Sequence, residues 1–277
     1  MKILLTCFLL LFFSMSVIGA DLALYTGPTN PGWISNASCR READDMIKGL
    51  KGIFASINDY GDGLEKDLGE WAKKRTGDKK PDVIILACGT TPSSLYPFPN
   101  KQPDGSVVEN FIYDGNVVIN IADWIFYMSY EGGVRSPDNG AAGAANIFNI
   151  PGLSFGSRNN NMKVNANGKK YLPSLKDFVT DRPWHLEQFQ GTDWEVTTFA
   201  EAGPNDADPA VAVHKKTNGI IAALIQKAWP DPAPTDDNRG EVVVEFVKNW
   251  LSEKIKLGLS VESGGKLSTS WGSIKSF

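Results

Sequence analysis

Histidine is almost missing from this chain, with 2 residues in 277, and cysteine occurs only 3 times. That scarcity excludes a His-rich or Cys-rich metal centre and leaves few bases for proton transfer. A basic excess is missing too: 28 Lys and Arg stand against 32 Asp and Glu, a formal charge of −4. Nucleic acid is therefore not an expected partner. After residue 20 no apolar run is long enough to cross a bilayer, so no transmembrane segment is expected in the mature chain. Aromatic residues, in contrast, are plentiful: 8 Trp, 7 Tyr and 14 Phe predict a packed globule, not a disordered chain.

Residues 1–20, MKILLTCFLLLFFSMSVIGA, combine one basic residue, an apolar run and the small pair Gly19-Ala20. That is the pattern of a secretory signal cut after one of those two residues, with a retained membrane anchor as the alternative. The expected location is secreted, periplasmic or cell-surface. Residues 21–257 then form one α/β domain, and the Gly-, Ser- and Lys-rich 258–277 a flexible tail.

Asp21-Leu22-Ala23-Leu24-Tyr25-Thr26 reads as a first strand. From Glu42, residues Ala43, Met46, Ile47, Leu50, Ile53, Phe54 and Ile57 recur at three- and four-residue spacing and predict one amphipathic helix. A second helix is expected over 62–75. The continuous apolar run Val83-Ile84-Ile85-Leu86-Ala87-Cys88, closed by Gly89, marks a strand covered on both faces. A short helix over 106–113 leads to another such strand at 116–121. Strands alternating with helices imply right-handed crossovers and a doubly wound, mainly parallel sheet of flavodoxin-like type, flanked by helices. The C-terminal half adds β-hairpins: one around Asn167-Gly168, and one pairing 210–214 with 220–226 across Thr217-Asn218-Gly219. A strand is expected at 194–200, and a last amphipathic helix over 239–255, packed near the first strand.

Three blocks together resemble the class I glutamine-amidotransferase-like superfamily, in its ThuA-like (trehalose-utilisation-protein-like) branch. They are Asp82-Val83-Ile84-Ile85-Leu86, the strand at 117–121, and Asp208-Pro209-Ala210-Val211-Ala212-Val213 followed by Asn218-Gly219-Ile220-Ile221-Ala222-Ala223-Leu224. The resemblance covers about residues 21–255. It implies a nucleophilic Cys, with a downstream His, in the turn after the strand at 117–121. Here that turn reads Ile121-Ala122-Asp123-Trp124, with no Cys, Ser, Gly or His. A thiolate cannot attack where no thiol exists, so active glutamine amidotransferase chemistry is excluded at this turn.

In an open parallel sheet, ligands sit outside the carboxyl ends of the strands. The loops there bring Tyr25, Thr26, Trp33, Cys88, Thr90, Thr91, Asp123, Trp124 and Tyr127 toward one rim. Aromatic rings beside hydroxyls and a carboxylate suit a glycan or other small polar ligand, although the same rings could form an upper core. Asp123 could bind a hydroxyl or act as general base, or merely cap the following segment. Cys88 could be a nucleophile served by His185 or His214, an inert buried thiol, or a disulfide partner of Cys39, since the usual strand order makes the two strands neighbours. His185, with Glu187, could supply a base or a metal ligand, but two ligands make no site and no metal is expected. Pro28 in Thr26-Gly27-Pro28-Thr29 removes a donor that a flavin phosphate loop needs, and no other cofactor is called for. Acidic loops at 205–208 and 231–237 lack calcium-loop spacing, and Asn36-Ala37-Ser38 is a glycosylation sequon. Three functions follow: a non-catalytic binder of a saccharide or small ligand, a saccharide hydrolase or isomerase using Asp123 with His185 or Glu187, or a surface scaffold addressed by its C-terminal tip. The sequence carries no signal for oligomeric state.

Overall fold

The computed structural model describes residues 19–100, 105–156, 160–227 and 233–257. The expected signal, apart from Gly19 and Ala20, and the tail at 258–277 lie outside the described residues.

A central sheet of seven strands organises the chain. Its elements run β1 (Asp21–Tyr25), α1 (Asn36–Leu50), β2 (Ser56–Tyr60), α2 (Glu65–Arg75), β3 (Val83–Leu86), α3 (Val107–Tyr113) and β4 (Val117–Ile121). After α4 (Ala142–Phe148) come α5 (Ala166–Tyr171), β5 (Trp194–Thr198), β6 (Ala210–His214), β7 (Ile220–Leu224) and α6 (Arg239–Glu245). Across the sheet the order is β2-β1-β3-β4-β7-β6-β5. The first five are mutually parallel, whereas β6 runs antiparallel to both β7 and β5. The fold is mixed α/β with helices on both faces.

The buried runs dictate that layering. β1, β3, β4 and β7 have no exposed residue, so both sheet faces need a cover. Register places Leu24, Ile85, Ile119 and Ala222 in one row, on the face covered by α1 and the C-terminal helix. The opposite face carries Ile84, Val118 and Ile221 beneath α2, α3 and α4. α3 starts where the sequence says it should: Ser106 accepts from the Glu109 amide while the Glu109 carboxylate accepts from the Ser106 amide, a capping box.

Three expectations need correction. The amphipathic helix does not reach Ile57. It stops at Leu50, Gly52 takes φ +81°, and Ser56–Tyr60 becomes the edge strand β2. Its sequence, SINDY, is poor in strand formers, so tertiary pairing with β1 decides its state. Nor does a hairpin form at Asn167-Gly168. The Asn165 side chain accepts from the Gly168 amide and caps α5 instead. The strand at 194–200 divides: β5 ends at Thr198, and Ala200–Ala202 joins a second, five-stranded sheet with Asn161–Val164, Phe178–Val179, Asp206–Ala207 and Trp184–His185. The last helix continues from α6 through a π-helical stretch, Phe246–Leu251, to Lys254.

Candidate functional site

Beyond the carboxyl ends of β3, β4 and β7 the backbone is contorted three times in adjacent strands. Gly89 has φ +73°, Ala122 φ +78° and Ile225 φ +55°. Glycine adopts such angles freely, but alanine pays a steric cost and a β-branched isoleucine a larger one. At Ala122 the turn is as tight as a chain makes: the Asp123 amide donates to the Ile121 carbonyl at 3.1 Å, two residues back. The Ala122 amide donates to the Ile225 carbonyl at 3.2 Å, which ties the β4 and β7 turns together. Gly89 is needed as well, because a Cβ there would lie 3.0 Å from the Asp123 nitrogen. Strain kept in such a turn is characteristic of functional sites.

This turn delivers Asp123. Its carboxylate is buried, accepts from the Trp124 amide at 2.6 Å, and meets Arg182 Nε at 3.7 Å. Burial pushes its pKa up to about 6, against the opposing pull of the Arg182 charge and the Trp124 amide. The Asn120 side-chain amide donates to the Asp123 carbonyl at 2.5 Å and fixes the turn from below. No helix follows directly, since Trp124 to Ser129 form turns and loop, so the side chain caps a turn instead of a helix.

Arg182 is the neighbour of Asp123 that residue type alone did not single out. Its guanidinium lies 4.3 Å above the Trp124 ring, a cation–π contact. Hydrogen bonds along its segment hold it there: the Thr180 hydroxyl donates to the Asp208 carboxylate, Asp181 N donates to the Gln226 carbonyl at 2.9 Å, and Gln226 Nε2 donates to the Arg182 carbonyl at 2.5 Å. The buried atoms Arg182 Nε, Trp124 Nε1, Asn120 Oδ1, Gln226 Oε1 and Thr91 Oγ1 have no hydrogen-bond partner within the protein. Several such groups at one strand edge are what a site for bound water or a polar ligand requires.

The rings form a strip. Trp33 and Tyr127 have centroids 6.0 Å apart, Tyr127 and Trp124 5.0 Å, and all three are half-buried. Arg135 lies 5.8 Å from the Tyr127 ring centroid. The other expected rim residues go elsewhere. Tyr25 is fully buried, with its hydroxyl 3.4 Å from Glu65 and its ring against Gly27. Thr26 bonds Asp59 at 2.6 Å, and buried Thr90 donates to the Pro28 carbonyl at 3.1 Å. Thr91 is buried, its amide donating to the Met128 carbonyl at 3.0 Å.

His185 and Glu187 are placed differently from the expected pairing with Asp123. His185 belongs to the second sheet, with Nε2 3.0 Å from the Gly156 carbonyl and 3.9 Å from Asp206. Glu187 lies in the 3-10 turn Leu186–Phe189. Arg182, from the same segment, takes the place by Asp123 that His185 was expected to fill. His214 is bonded through Nδ1 to Thr217 at 2.9 Å, at the far end of β6. Cys39 and Cys88 are free, buried thiols in hydrogen-bond contact. Burial and the neighbouring thiol push the Cys88 pKa well up, which disfavours the thiolate that a nucleophile needs. Among the described residues no group of three or more His, Cys, Asp or Glu is placed to hold a metal ion. No helix among them is long and apolar enough to cross a membrane.

A scan of known protein-family models finds no match to this chain, and no curated protein sequence matches it.

Proposed function

We propose that the chain is an exported, ThuA-like protein that holds a saccharide on the Trp33–Tyr127–Trp124 strip without glutaminase chemistry. The observation that carries this reading is the strip itself: three half-buried rings in series, ending at a buried carboxylate and an arginine. Ring faces stack on the C–H face of a sugar, and Arg182 with Asp123 supplies directional bonds to its hydroxyls. The β2-β1-β3-β4-β7 order supports a flavodoxin-like core, in which this edge is the usual ligand position. The strained turn supports descent from an active site, with Ala122 and Asp123 standing where a nucleophile would be.

Calorimetry against a glycan panel tests the reading. Wild type should bind a member saturably, and Trp124→Ala should weaken it about tenfold, the loss expected for one stacking ring. No binding by wild type would reject the saccharide reading and favour a surface scaffold. A second reading, a saccharide hydrolase or isomerase, is favoured by the Asp123 pKa of about 6, apt for a general acid or base. Turnover of the bound glycan that is lost in Asp123→Asn would establish it; binding without turnover would reject it.

Export also carries a covalent expectation. In an oxidising compartment the facing thiols of Cys39 and Cys88 close into a bridge, with two electrons and two protons passing to a disulfide-exchange partner. Protein recovered from that compartment should resist alkylation until reduced. Free thiols in unreduced protein would refute the bridge.

A further inference from the structure

A cavity of about 250 Å³ opens between the segment 175–178, the end of β7 and the start of α6. Ile225, the β-branched residue held at φ +55°, lines it, so the strained β7 turn serves this cavity as well as the Asp123 turn.

Arg239 forms the inner wall and is 3% exposed. Asp237 grips it from one side, accepting from Nε at 2.7 Å and from Nη2. Arg41 also pairs with Asp237, at 3.1 Å, and with Glu42, whose other oxygen accepts from the Gly240 amide at 2.8 Å. Two arginines and two carboxylates thus balance in a network that is buried except at Arg41. Arg239 Nη1 alone is left over, buried and without a partner. A desolvated guanidinium nitrogen without an acceptor is costly, and evolution keeps few of them.

Two further cations line the cavity. Lys176 and Lys227 have no ion-pair partner among the described residues. The carboxylates around them are mostly committed: Asp177 bonds the Val164 amide and Lys163, both at 2.9 Å, and Asp237 bonds the arginines. Asp236 is exposed and also lines the cavity. The Asn238 side-chain amide is spent on the Ser174 carbonyl at 2.6 Å.

We infer that this cavity binds a phosphoryl group, with Arg239 Nη1 as the inner donor and Lys176 and Lys227 at the mouth. A dianionic group with three terminal oxygens answers one fixed guanidinium nitrogen and two mobile ammonium groups, which a single carboxylate would leave underused. Free phosphate and a small phosphomonoester share this chemistry, and the volume admits either.

The test is a thermal-shift and calorimetric titration of the full chain with inorganic phosphate and with glycerol phosphate, against chloride at matched ionic strength. Saturable stabilisation by one or both is expected, and the tighter of the two names the occupant. In the Lys176→Ala/Lys227→Ala double variant, whose changes lie on the cavity's mouth, affinity should fall at least about tenfold. Arg239→Lys should weaken binding too, while circular dichroism reports whether it folds. Stabilisation no greater than that from chloride, or equal affinity in the double lysine variant, would overturn the assignment.

Discussion

Asp208→Asn is expected to stabilise the protein at pH 8 and to flatten its dependence on pH. Asp208 is fully buried between the two sheets' junction strands, and burial raises its pKa to about 7, against the bonds from Thr180, Gln226 and Ile225 that lower it. One oxygen accepts from Thr180 and from the Gln226 amide at 2.7 Å, while the other has no partner and is suited to carrying a proton. Asp123 and Asp82 are shifted the same way, each to about 6, chiefly by burial. A carboxyl whose folded pKa is raised binds its proton more tightly in the native state. Its contribution is fully present below the unfolded value near 4 and is lost as pH rises through 6 to 7. For Asp208 alone the difference amounts to at most about 4 kcal/mol between pH 4 and pH 8. Urea unfolding at intervals from pH 4 to pH 8 should show wild-type stability falling across that range. Asparagine keeps the acceptor and never ionises, so the fall should be smaller in Asp208→Asn. Identical slopes would show that Asp208 does not titrate in this window.

Gly143→Ala, in contrast, should be strongly damaging, although alanine is the better helix former. Gly143 sits near the start of α4, and a Cβ there would lie 2.0 Å from the Phe126 carbonyl oxygen and 2.9 Å from its carbon. Both are backbone atoms, so no side chain can yield. The helix would have to move off the 124–129 segment, at about 3 kcal/mol on the scale of overpacked cores. Because that segment carries Trp124 and Tyr127, the strip should be displaced too. Chemical denaturation gives the stability loss and the glycan titration the loss of binding. A variant as stable as wild type would show that α4 can shift freely.

Both substitutions act where distant segments meet, and such meetings mark how far sequence reasoning reaches. The strands β1, β3, β4 and β7 were legible because each is a mainly apolar run, a property of neighbouring residues alone. α3 was legible as a short helix over 106–113, and the structure adds the reciprocal Ser106–Glu109 cap that starts it. β2 was not, because Ser56-Ile57-Asn58-Asp59-Tyr60 has weak strand propensity and is a strand only by pairing with β1. At 165–171 the Asn-Gly pair pointed to a hairpin, but the Asn165 cap three residues before Gly168 decided for a helix.

The site divides in the same way. Asp123 and Trp124 could be placed from the end of β4, because a strand's last residue locates the turn that follows it. Which cation faces them could not, since Arg182 and His185 lie three positions apart in one polar segment and residue type favours neither. The bonds from Asp208 and Gln226 choose Arg182, and they exist only because β6 and β7 end beside β4. Local hydrophobic pattern and side-chain chemistry were enough to specify a parallel-rich α/β core, its rim and the absence of a nucleophilic side chain at Ala122-Asp123. The tertiary structure alone decided the aromatic strip, the Asp123–Arg182 pair and the unpartnered Arg239 nitrogen, because each arises from strand order and from which polar atoms burial leaves without water.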